Sequence, residues 1–118
     1  MNISSQHYRL INGAFALACA MVGTVLDVIK RDDLIANVQR LSARISQECV
    51  VGPVSAISGK GFLLGLRCPG GALPIRKALL EKGILTGSSN DPEVMRLLPP
   101  LTLADEHVDE LINALTSL

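Results

Sequence analysis

The chain has 118 residues, of which 48% are hydrophobic and 19% are charged, and its eleven basic side chains balance eleven acidic ones. This length indicates one domain with a substantial core, and the apolar fraction excludes intrinsic disorder. A net charge of zero, with one Tyr, two Phe and no Trp, argues against nucleic-acid binding and against attraction to an anionic membrane.

The N-terminal part is predicted to be a polar arm followed by a long apolar helix. Residues 1–12 form the arm, which ends at a turn signalled by Asn12-Gly13. Residues 14–31 carry few polar side chains, which predicts a helix that is apolar nearly all round and therefore buried. A secretory signal and a short membrane span remain alternatives, because two Ala-x-Ala patterns follow a basic residue. The low leucine content and Asp27 favour the buried helix.

A second helix and a β-hairpin are predicted next. Asp32 or Asp33 can cap the helix N-terminus. After the break at Gly52-Pro53, residues 54–58 and 62–67 are predicted to pair around Gly59-Lys60-Gly61, where glycine supplies the positive φ that the turn needs. The apolar stripe of the helix has the three- and four-residue spacing of one face and consists of Leu34, Val38, Leu41 and Ile45.

A third helix and two further strands follow. Pro74 suits the first turn of the helix, and Gly83 suits the position just after its end. Short strands are predicted at Ile84–Thr86 and Val94–Leu98, with a turn-rich loop between them.

The last helix completes an α-α-β-β-α-β-β-α order. Thr102 is predicted to cap it, with Asp105 three residues later. Its apolar face consists of Val108, Leu111, Ile112 and Leu115. This order predicts an α+β two-layer sandwich, in which a small, mostly antiparallel sheet has helices packed on one face and is preceded by the long apolar helix.

The cysteines and histidines predict neither a disulfide framework nor a metal site. Cys19, Cys49 and Cys68 are odd in number and far apart, so they are expected to be small buried hydrophobic residues in a reducing cytoplasm. His7 and His107 bring no second ligand at metal spacing and are expected to be ordinary surface histidines.

Most polar motifs have an ordinary structural interpretation. Ser58, Ser88 and Ser89 lie in turns without a Gly-x-Ser-x-Gly elbow. Gly59-Lys60-Gly61 favours a turn over a phosphate cradle. The acidic group is predicted to be a solvated helix face placed favourably in the helix dipole, and it comprises Asp105, Glu106, Asp109 and Glu110.

Arg96 is the candidate binding residue. It stands in a strand-like apolar stretch just before Pro99-Pro100. A guanidinium among apolar neighbours needs a carboxylate or phosphate partner, because burying it unpaired is costly. The residues alone leave a structural ion pair and a substrate anchor equally open.

Several motifs, in order, resemble class III aminotransferases, which are pyridoxal-phosphate enzymes of fold type I. Residues 16–29 resemble the family's "PLACA…LDVI" helix, and residues 59–66 resemble its "R-G-x-G-L-x-x-G" hairpin. Residues 80–85 resemble "LLERGLLV", residues 95–102 resemble "IRLLPPLTI", and the final helix resembles "EEIDEAL". The pattern points to the acetylornithine and succinylornithine aminotransferase branch. It implies that residues 13–118 are the family's small C-terminal domain with its leading helix.

The resemblance implies a substrate clamp without its cofactor site. The family's arginine at the position of Arg96 holds the α-carboxylate of the substrate. The family's Schiff-base lysine, the aspartate on the pyridinium nitrogen and the stacking aromatic lie in large-domain segments that this sequence does not contain. The family's "T-F-G-G-N-P" run aligns with residues 11–16, where Ile11 replaces the threonine that contacts the cofactor phosphate and Gly13 is a weak cofactor-binding match.

The lysines do not substitute for the missing Schiff-base residue. Lys30, Lys60, Lys77 and Lys82 are predicted at helix ends, in a turn or on a polar helix face, where an amine is not desolvated.

The expected function is therefore an aminotransferase fragment of the cytoplasm that is inactive alone and binds neither cofactor nor metal. Two alternatives stay open: a small-carboxylate or amino-acid binding module that uses Arg96, and a part of a split aminotransferase that completes an active site with a large-domain chain. Self-association through the apolar first helix is expected, because the surfaces that cover this helix in the family are missing.

Overall fold

A computed structural model describes the backbone of residues 3–118 and the side chains of residues 15–118. The elements, in chain order, are α1 (Ile3–Arg31), α2 (Leu34–Glu48), β1 (Ala56–Lys60), β2 (Leu63–Arg67), α3 (Leu73–Glu81), β3 (Gly87–Ser88), β4 (Val94–Leu97) and α4 (Asp105–Thr116). The predicted order of elements and the α+β fold class are confirmed. The chain divides into two compact units, Met1–Leu34 and Ile35–Leu118.

The first unit consists mainly of α1, which differs from the prediction in two respects. The helix begins at Ile3 rather than Ala14, so it runs through the Asn12-Gly13 position, where the sequence predicts a turn. One interior glycine costs a helix only about 1 kcal/mol and does not by itself end it. The large apolar side chains of its described part are exposed rather than buried, because this unit contains no second layer on which the helix could pack. They are Phe15, Leu17, Met21, Val22, Val25 and Leu26.

The second unit contains an antiparallel sheet with the strand order β1-β2-β4-β3. One row of residues crosses all four strands and consists of Ser58, Gly65, Arg96 and Gly87. Because successive side chains of a strand point to opposite faces, the adjacent row faces the other way; it consists of Ile57, Leu66, Met95 and Ser88.

The core lies on the Leu66–Met95 face of the sheet and is closed by α2, α3 and α4. The strands contribute alternate residues, and the helices contribute the apolar stripes that the sequence predicted for α2 and α4. The principal buried side chains are Leu41, Ile45, Leu64, Leu66, Leu79, Met95, Leu97, Val108, Leu111 and Leu115. The opposite face of the sheet carries no helix within this unit's core cluster, and Arg96 belongs to that open face.

Two glycines are required by close backbone contacts. Gly52 has a φ of 57°, and a Cβ built on it would lie 2.1 Å from the carbonyl oxygen of Leu115. Gly59 has a φ of 124°, and its Cβ would lie 2.1 Å from the carbonyl oxygen of Leu63. The second contact explains a glycine inside the predicted hairpin, whose Lys60↔Leu63 pair closes a two-residue turn.

The predicted boundaries of α3 are confirmed. Pro74 lies in the first turn, and Gly83 follows the last turn with a φ of 83°. The N–H groups of Gly83 and Ile84 donate to the carbonyl oxygens of Leu80 and Leu79, each at 2.9 Å. This is a Schellman motif, which satisfies carbonyl groups that the helix end leaves free.

The predicted strand at Ile84–Thr86 is wrong, and the pairing instead involves Gly87–Ser88 in the predicted loop. The Schellman bond ties Ile84 to α3. Arg76 Nη2 of α3 donates to the carbonyl oxygen of Thr86 at 3.4 Å. These contacts hold residues 84–86 beside α3, so an apolar segment with strand propensity does not join the ladder.

The predicted cap of α4 is also wrong. The N-cap is Ala104, and the backbone N–H of Ala104 donates to His107 Nδ1 at 3.0 Å. The helix begins two residues later than a Thr102 cap requires, because Thr102 lies in the turn in which Leu103 N–H donates to the carbonyl of Pro100 at 3.0 Å. His107 thus takes the reciprocal role of a capping box.

Candidate functional site

Arg96 lies on the open face of the sheet with its side chain exposed. Its neighbours along β4, Met95 and Leu97, point into the core. Within the described residues, no carboxylate pairs with the Arg96 guanidinium. The structural ion pair that the sequence left open is therefore not formed there, because strand alternation turns Arg96 away from the core and no acidic residue occupies the paired positions.

Glycines occupy both cross-strand positions beside Arg96. Gly65 pairs with it on β2, and Gly87 pairs with it on β3. A Cβ on Gly87 would lie 3.0 Å from Arg96 Nε and 3.2 Å from its Nη2, so the guanidinium lies directly over the Gly87 backbone. Sequence reasoning missed Gly87 as a site residue, because it predicted the third strand at Ile84–Thr86. The pairing of Gly87 with Arg96 is visible only in the strand register of the structure.

Arg96 is one of the residues that line a cavity of about 620 Å³. Its wall is mostly apolar, and its charged or polar side chains include Arg96, Thr86, Thr102, His107 and Glu110. The complete lining comprises Gly83, Ile84, Leu85, Thr86, Gly87, Arg96, Leu97, Leu98, Pro99, Pro100, Thr102, Leu103, His107, Glu110 and Leu111. An apolar cavity with a few polar groups has the composition of a typical small-molecule site.

Arg67 lies on the same sheet face as Arg96, and its charge is balanced by two carboxylates. Its guanidinium lies 3.2 Å from Asp91 Oδ2 and 3.4 Å from Glu93 Oε2. The pKa of Asp91 is lowered by a hydrogen bond from the Glu93 backbone N–H and by Arg67. Arg96 is not neutralised in this way, so its charge is available to an added anion.

The acidic group of α4 contributes to a contact between helices as well as to the surface. Asp105 lies 2.7 Å from Arg40 Nη1 and 3.1 Å from Arg44 Nη1, both on α2. Arg44 also pairs with Asp109. The hydrogen bond from Arg40 lowers the pKa of Asp105. The acidic face of α4 is thus exposed as predicted, but two of its carboxylates form ion pairs with α2. Their partners lie over sixty residues away in the sequence, so no local pattern predicts these pairs.

The serines, the glycine turn and the cysteines carry no chemistry in this unit. Ser89 Oγ donates to the carbonyl oxygens of Asp91 and Val94. The hairpin turn is Gly61-Phe62 rather than the predicted Gly59-Lys60-Gly61, because Gly59 and Lys60 continue β1 and pair with Leu64 and Leu63. Cys49 and Cys68 are buried as predicted, whereas Cys19 on α1 is exposed. Burial raises the pKa of the Cys49 thiol to about 11, which leaves it largely protonated and unreactive near neutral pH.

The described lysines do not have the surroundings of a Schiff-base lysine. Such a lysine is normally desolvated or placed beside another cation, yet Lys30, Lys60, Lys77 and Lys82 are all exposed. The surroundings of Ile11 and Gly13, the positions aligned with the family's phosphate contact, lie outside the described residues, as do those of His7.

No helix among the described residues has the length and hydropathy to cross a membrane, and they contain no group of His, Cys, Asp and Glu side chains arranged to hold a metal ion.

The chain is similar to known aminotransferases over most of its length. Residues 13–118 match the family model described as "Aminotransferase class-III". An acetylornithine aminotransferase of Mesorhizobium japonicum is 34% identical over 107 residues, which cover 86% of this chain and 27% of that protein. Acetylornithine aminotransferase 1 of Bordetella bronchiseptica is 33% identical over 113 residues, which cover 90% of this chain and 28% of that protein.

Solved structures show the same fold. An ornithine aminotransferase from Toxoplasma gondii superimposes with a TM-score of 0.73 at 27% identity, covering 86% of this chain and 26% of that one. For an acetylornithine aminotransferase from Elizabethkingia anophelis the TM-score is 0.76 at 23% identity, with 86% and 29% covered. This chain therefore spans little more than a quarter of the length of the relatives it matches.

Proposed function

The chain belongs to the class III aminotransferase family, a pyridoxal-phosphate-dependent family, and we propose that it supplies the carboxylate-binding part of an aminotransferase active site. Arg96 is the anchor for the carboxylate of an amino-acid substrate. The relatives that it matches are acetylornithine aminotransferases, so N-acetylornithine and its 2-oxo-acid partners are the first ligands to consider.

The observation that carries this proposal is the unpaired Arg96 guanidinium beside the cavity. A guanidinium binds a carboxylate through two parallel hydrogen bonds, which fix the orientation of the ligand as well as its position. Gly87 has no side chain and so leaves room for Arg96 Nε and Nη2 beside its backbone, and the apolar wall supplies a place for the aliphatic part of the ligand.

This chain's own residues bind and orient but do not transfer an amino group. The lysines whose side chains the structure describes are exposed, and no step through the cofactor is assigned to them. We therefore propose that residues 1–118 alone do not transaminate.

A second role, completion of an active site in trans, is favoured by the exposed apolar side chains of α1. A helix with six large apolar residues in water is expected to associate. Its partner is either another copy of this chain or a chain that carries the rest of an aminotransferase. A freestanding carboxylate-binding module needs neither partner for its affinity.

Calorimetric titration with N-acetylornithine, glutamate and succinate tests the anchor. Wild-type protein is expected to bind at least one of them, and Arg96→Ala is expected to weaken that binding by about tenfold or more, because a charge-assisted pair is lost. Arg67→Ala is the matched control, since Arg67 lies on the same face with its charge already paired. Equal affinity of wild type and Arg96→Ala would refute the assignment.

Repeating the titration separates the two roles. The second measurement adds an excess of the Mesorhizobium japonicum polypeptide lacking the quarter matched here. Binding that needs the added chain supports completion in trans, and binding that is unchanged supports a freestanding module.

A further inference from the structure

The loop between β4 and α4 supplies part of the wall of the cavity that Arg96 lines. We call this stretch, residues 98–104, the cavity loop, and its lining residues are Leu98, Pro99, Pro100, Thr102 and Leu103. Its two prolines have no N–H to donate, so the loop has few main-chain donors with which to fix its own conformation. Leu103 N–H donates to the carbonyl oxygen of Pro100 at 3.0 Å. The position of this wall therefore depends on contacts from outside the loop.

The side-chain amide of Asn37 on α2 makes such a contact. Asn37 Nδ2 donates to the carbonyl oxygens of Leu101 and Leu103, each at 2.9 Å. An amide nitrogen carries two N–H donors, and here one goes to each carbonyl group. The bond to Leu103 is partly buried, so water competes less for it than for a bond at the surface.

Arg40 determines which way the Asn37 amide faces. Arg40 Nη2 donates to Asn37 Oδ1 at 3.1 Å, and Arg40 Nη1 donates to the two carboxylate oxygens of Asp105 at 2.9 and 2.7 Å. An amide has an acceptor end and a donor end. Because Arg40 occupies the acceptor end, the donor end faces the cavity loop. One network of hydrogen bonds thus joins α2, the cavity loop and the start of α4.

We propose that Asn37 is a positioning residue that determines how well the cavity accepts the aliphatic chain of a ligand. Asn37 does not line the cavity itself, so it acts through the cavity loop. The inference rests on the proposed function, in which Arg96 holds the carboxylate. The bond between Arg96 and a carboxylate needs no residue of the loop, whereas the apolar contact with the rest of the ligand does. Loss of the Asn37 amide is therefore expected to weaken long-chain carboxylates more than short ones.

NMR titration with the straight-chain monocarboxylates from acetate to hexanoate tests this inference. In the wild-type protein, each methylene that the cavity buries is expected to raise the affinity by about twofold to fourfold. Asn37→Ala removes the amide, and Asn37→Asp places an oxygen beside the two carbonyl oxygens. Both variants are expected to bind acetate normally and hexanoate about tenfold less tightly. The ratio of the hexanoate and acetate affinities is the readout, because a general loss of stability would lower both affinities alike.

Asp109→Asn is the matched control. Asp109 forms an ion pair between the same two helices, but it does not line the cavity, so this variant is expected to keep the wild-type ratio. In the protein without ligand, hydrogen exchange at the Leu103 amide is expected to be faster in both Asn37 variants than in Asp109→Asn.

Arg96→Ala separates this inference from the proposed function, since it is expected to weaken every acid in the series. If it does so while both Asn37 variants keep the wild-type ratio, or if the exchange at Leu103 is unchanged in them, the inference is wrong and the proposed function stands. If no acid binds in a way that depends on Arg96, the proposed function is wrong and this inference is wrong with it.

Discussion

At the scale of single residues, glycines decide where this backbone can go and what it can hold. Gly52 and Gly59 are fixed by carbonyl oxygens that leave no room for a side chain, whereas Gly87 is fixed by its contact with a guanidinium. The first two therefore belong to folding, and the third belongs to the site.

Replacing Gly52 with alanine is expected to destabilise the protein strongly. The new Cβ would lie 2.1 Å from the Leu115 carbonyl oxygen at a φ of 57°. Gly70→Ala is the matched control, since Gly70 has a φ of 90° with nothing within 4 Å. We expect Gly52→Ala to cost at least about 2 kcal/mol more than Gly70→Ala in urea unfolding, because only the former adds a backbone clash to the strain of positive φ. Equal losses of stability in the two variants would show that the backbone at the end of α4 moves aside without cost and would contradict this prediction.

Gly87→Ala is expected to spare stability and impair ligand binding. The added methyl group would lie 3.0 Å from Arg96 Nε, and a flexible side chain moves more easily than backbone. We expect a loss of about threefold to tenfold in carboxylate affinity, from misplaced charge-assisted hydrogen bonds. Calorimetric titration of the variant measures the carboxylate affinity, and a urea unfolding curve measures its stability. Gly70→Ala should bind normally, and unaltered binding by Gly87→Ala would contradict the described packing.

At the scale of elements, ion pairs between α2 and α4 make a contribution to the stability of the fold that depends on pH, in addition to the packing of the core. The pKa of Asp105 is lowered below its ordinary value of 3.8 by Arg40 and Arg44. Because the folded-state pKa is lower than the unfolded one, the stabilisation is complete above about pH 4 and is lost as the pH falls through the lowered value.

Asp105→Asn is therefore expected to flatten the acid limb of the stability curve. Urea midpoints measured at steps from pH 6 down to pH 2 compare the variant with wild type. The variant should be less stable near pH 6, and the difference should shrink below pH 4. Glu106→Gln, a change to a neighbouring carboxylate with no ion pair among the described residues, is the control. A difference that persists unchanged at the lowest pH would rule out the ion pair as its cause.

Sequence reasoning predicted the type and bounds of the helices and strands better than it predicted which residues of different elements contact one another. The amphipathic stripes of α2 and α4 and the Pro74 and Gly83 boundaries of α3 depend on local periodicity and dihedral preference, which a sequence contains. The position of β3 depends on contacts from Arg76 and Leu79 that capture residues 84–86, so local strand propensity misplaced it. Similarly, the sequence predicts Arg96 as a candidate binding residue, but whether it has a partner depends on cross-strand glycines that only the register reveals.

At the scale of the whole molecule, the apolar excess of the sequence is concentrated on α1. The core of residues 35–118 is closed by its own helices, whereas α1 exposes Phe15, Leu17 and Met21 among others. The apolar pattern alone predicts that this helix is buried, whereas the resemblance to the family predicts that it is uncovered, and the exposed side chains agree with the second expectation.

Association through α1 should protect the cysteine that lies on it. Cys19 is exposed, while Cys49 and Cys68 are buried. We expect sedimentation to show species larger than a monomer at high concentration, and the labelling of Cys19 by a maleimide to slow as concentration rises. Met21→Lys with Val25→Lys should restore a monomer and fast labelling, whereas Leu80→Lys on α3 should not. A monomer at every concentration would refute self-association.

Arg96, which has no ion pair among the described residues, has a consequence for how an anionic ligand would arrive. The chain carries no net charge, so it has no long-range field to attract an anion from solution. The charge of Arg96 is felt only within about a Debye length, roughly 10 Å at 0.1 M salt. The association rate of a carboxylate is then expected to depend mainly on diffusion and shape. Added salt is expected to change the dissociation rate more than the association rate.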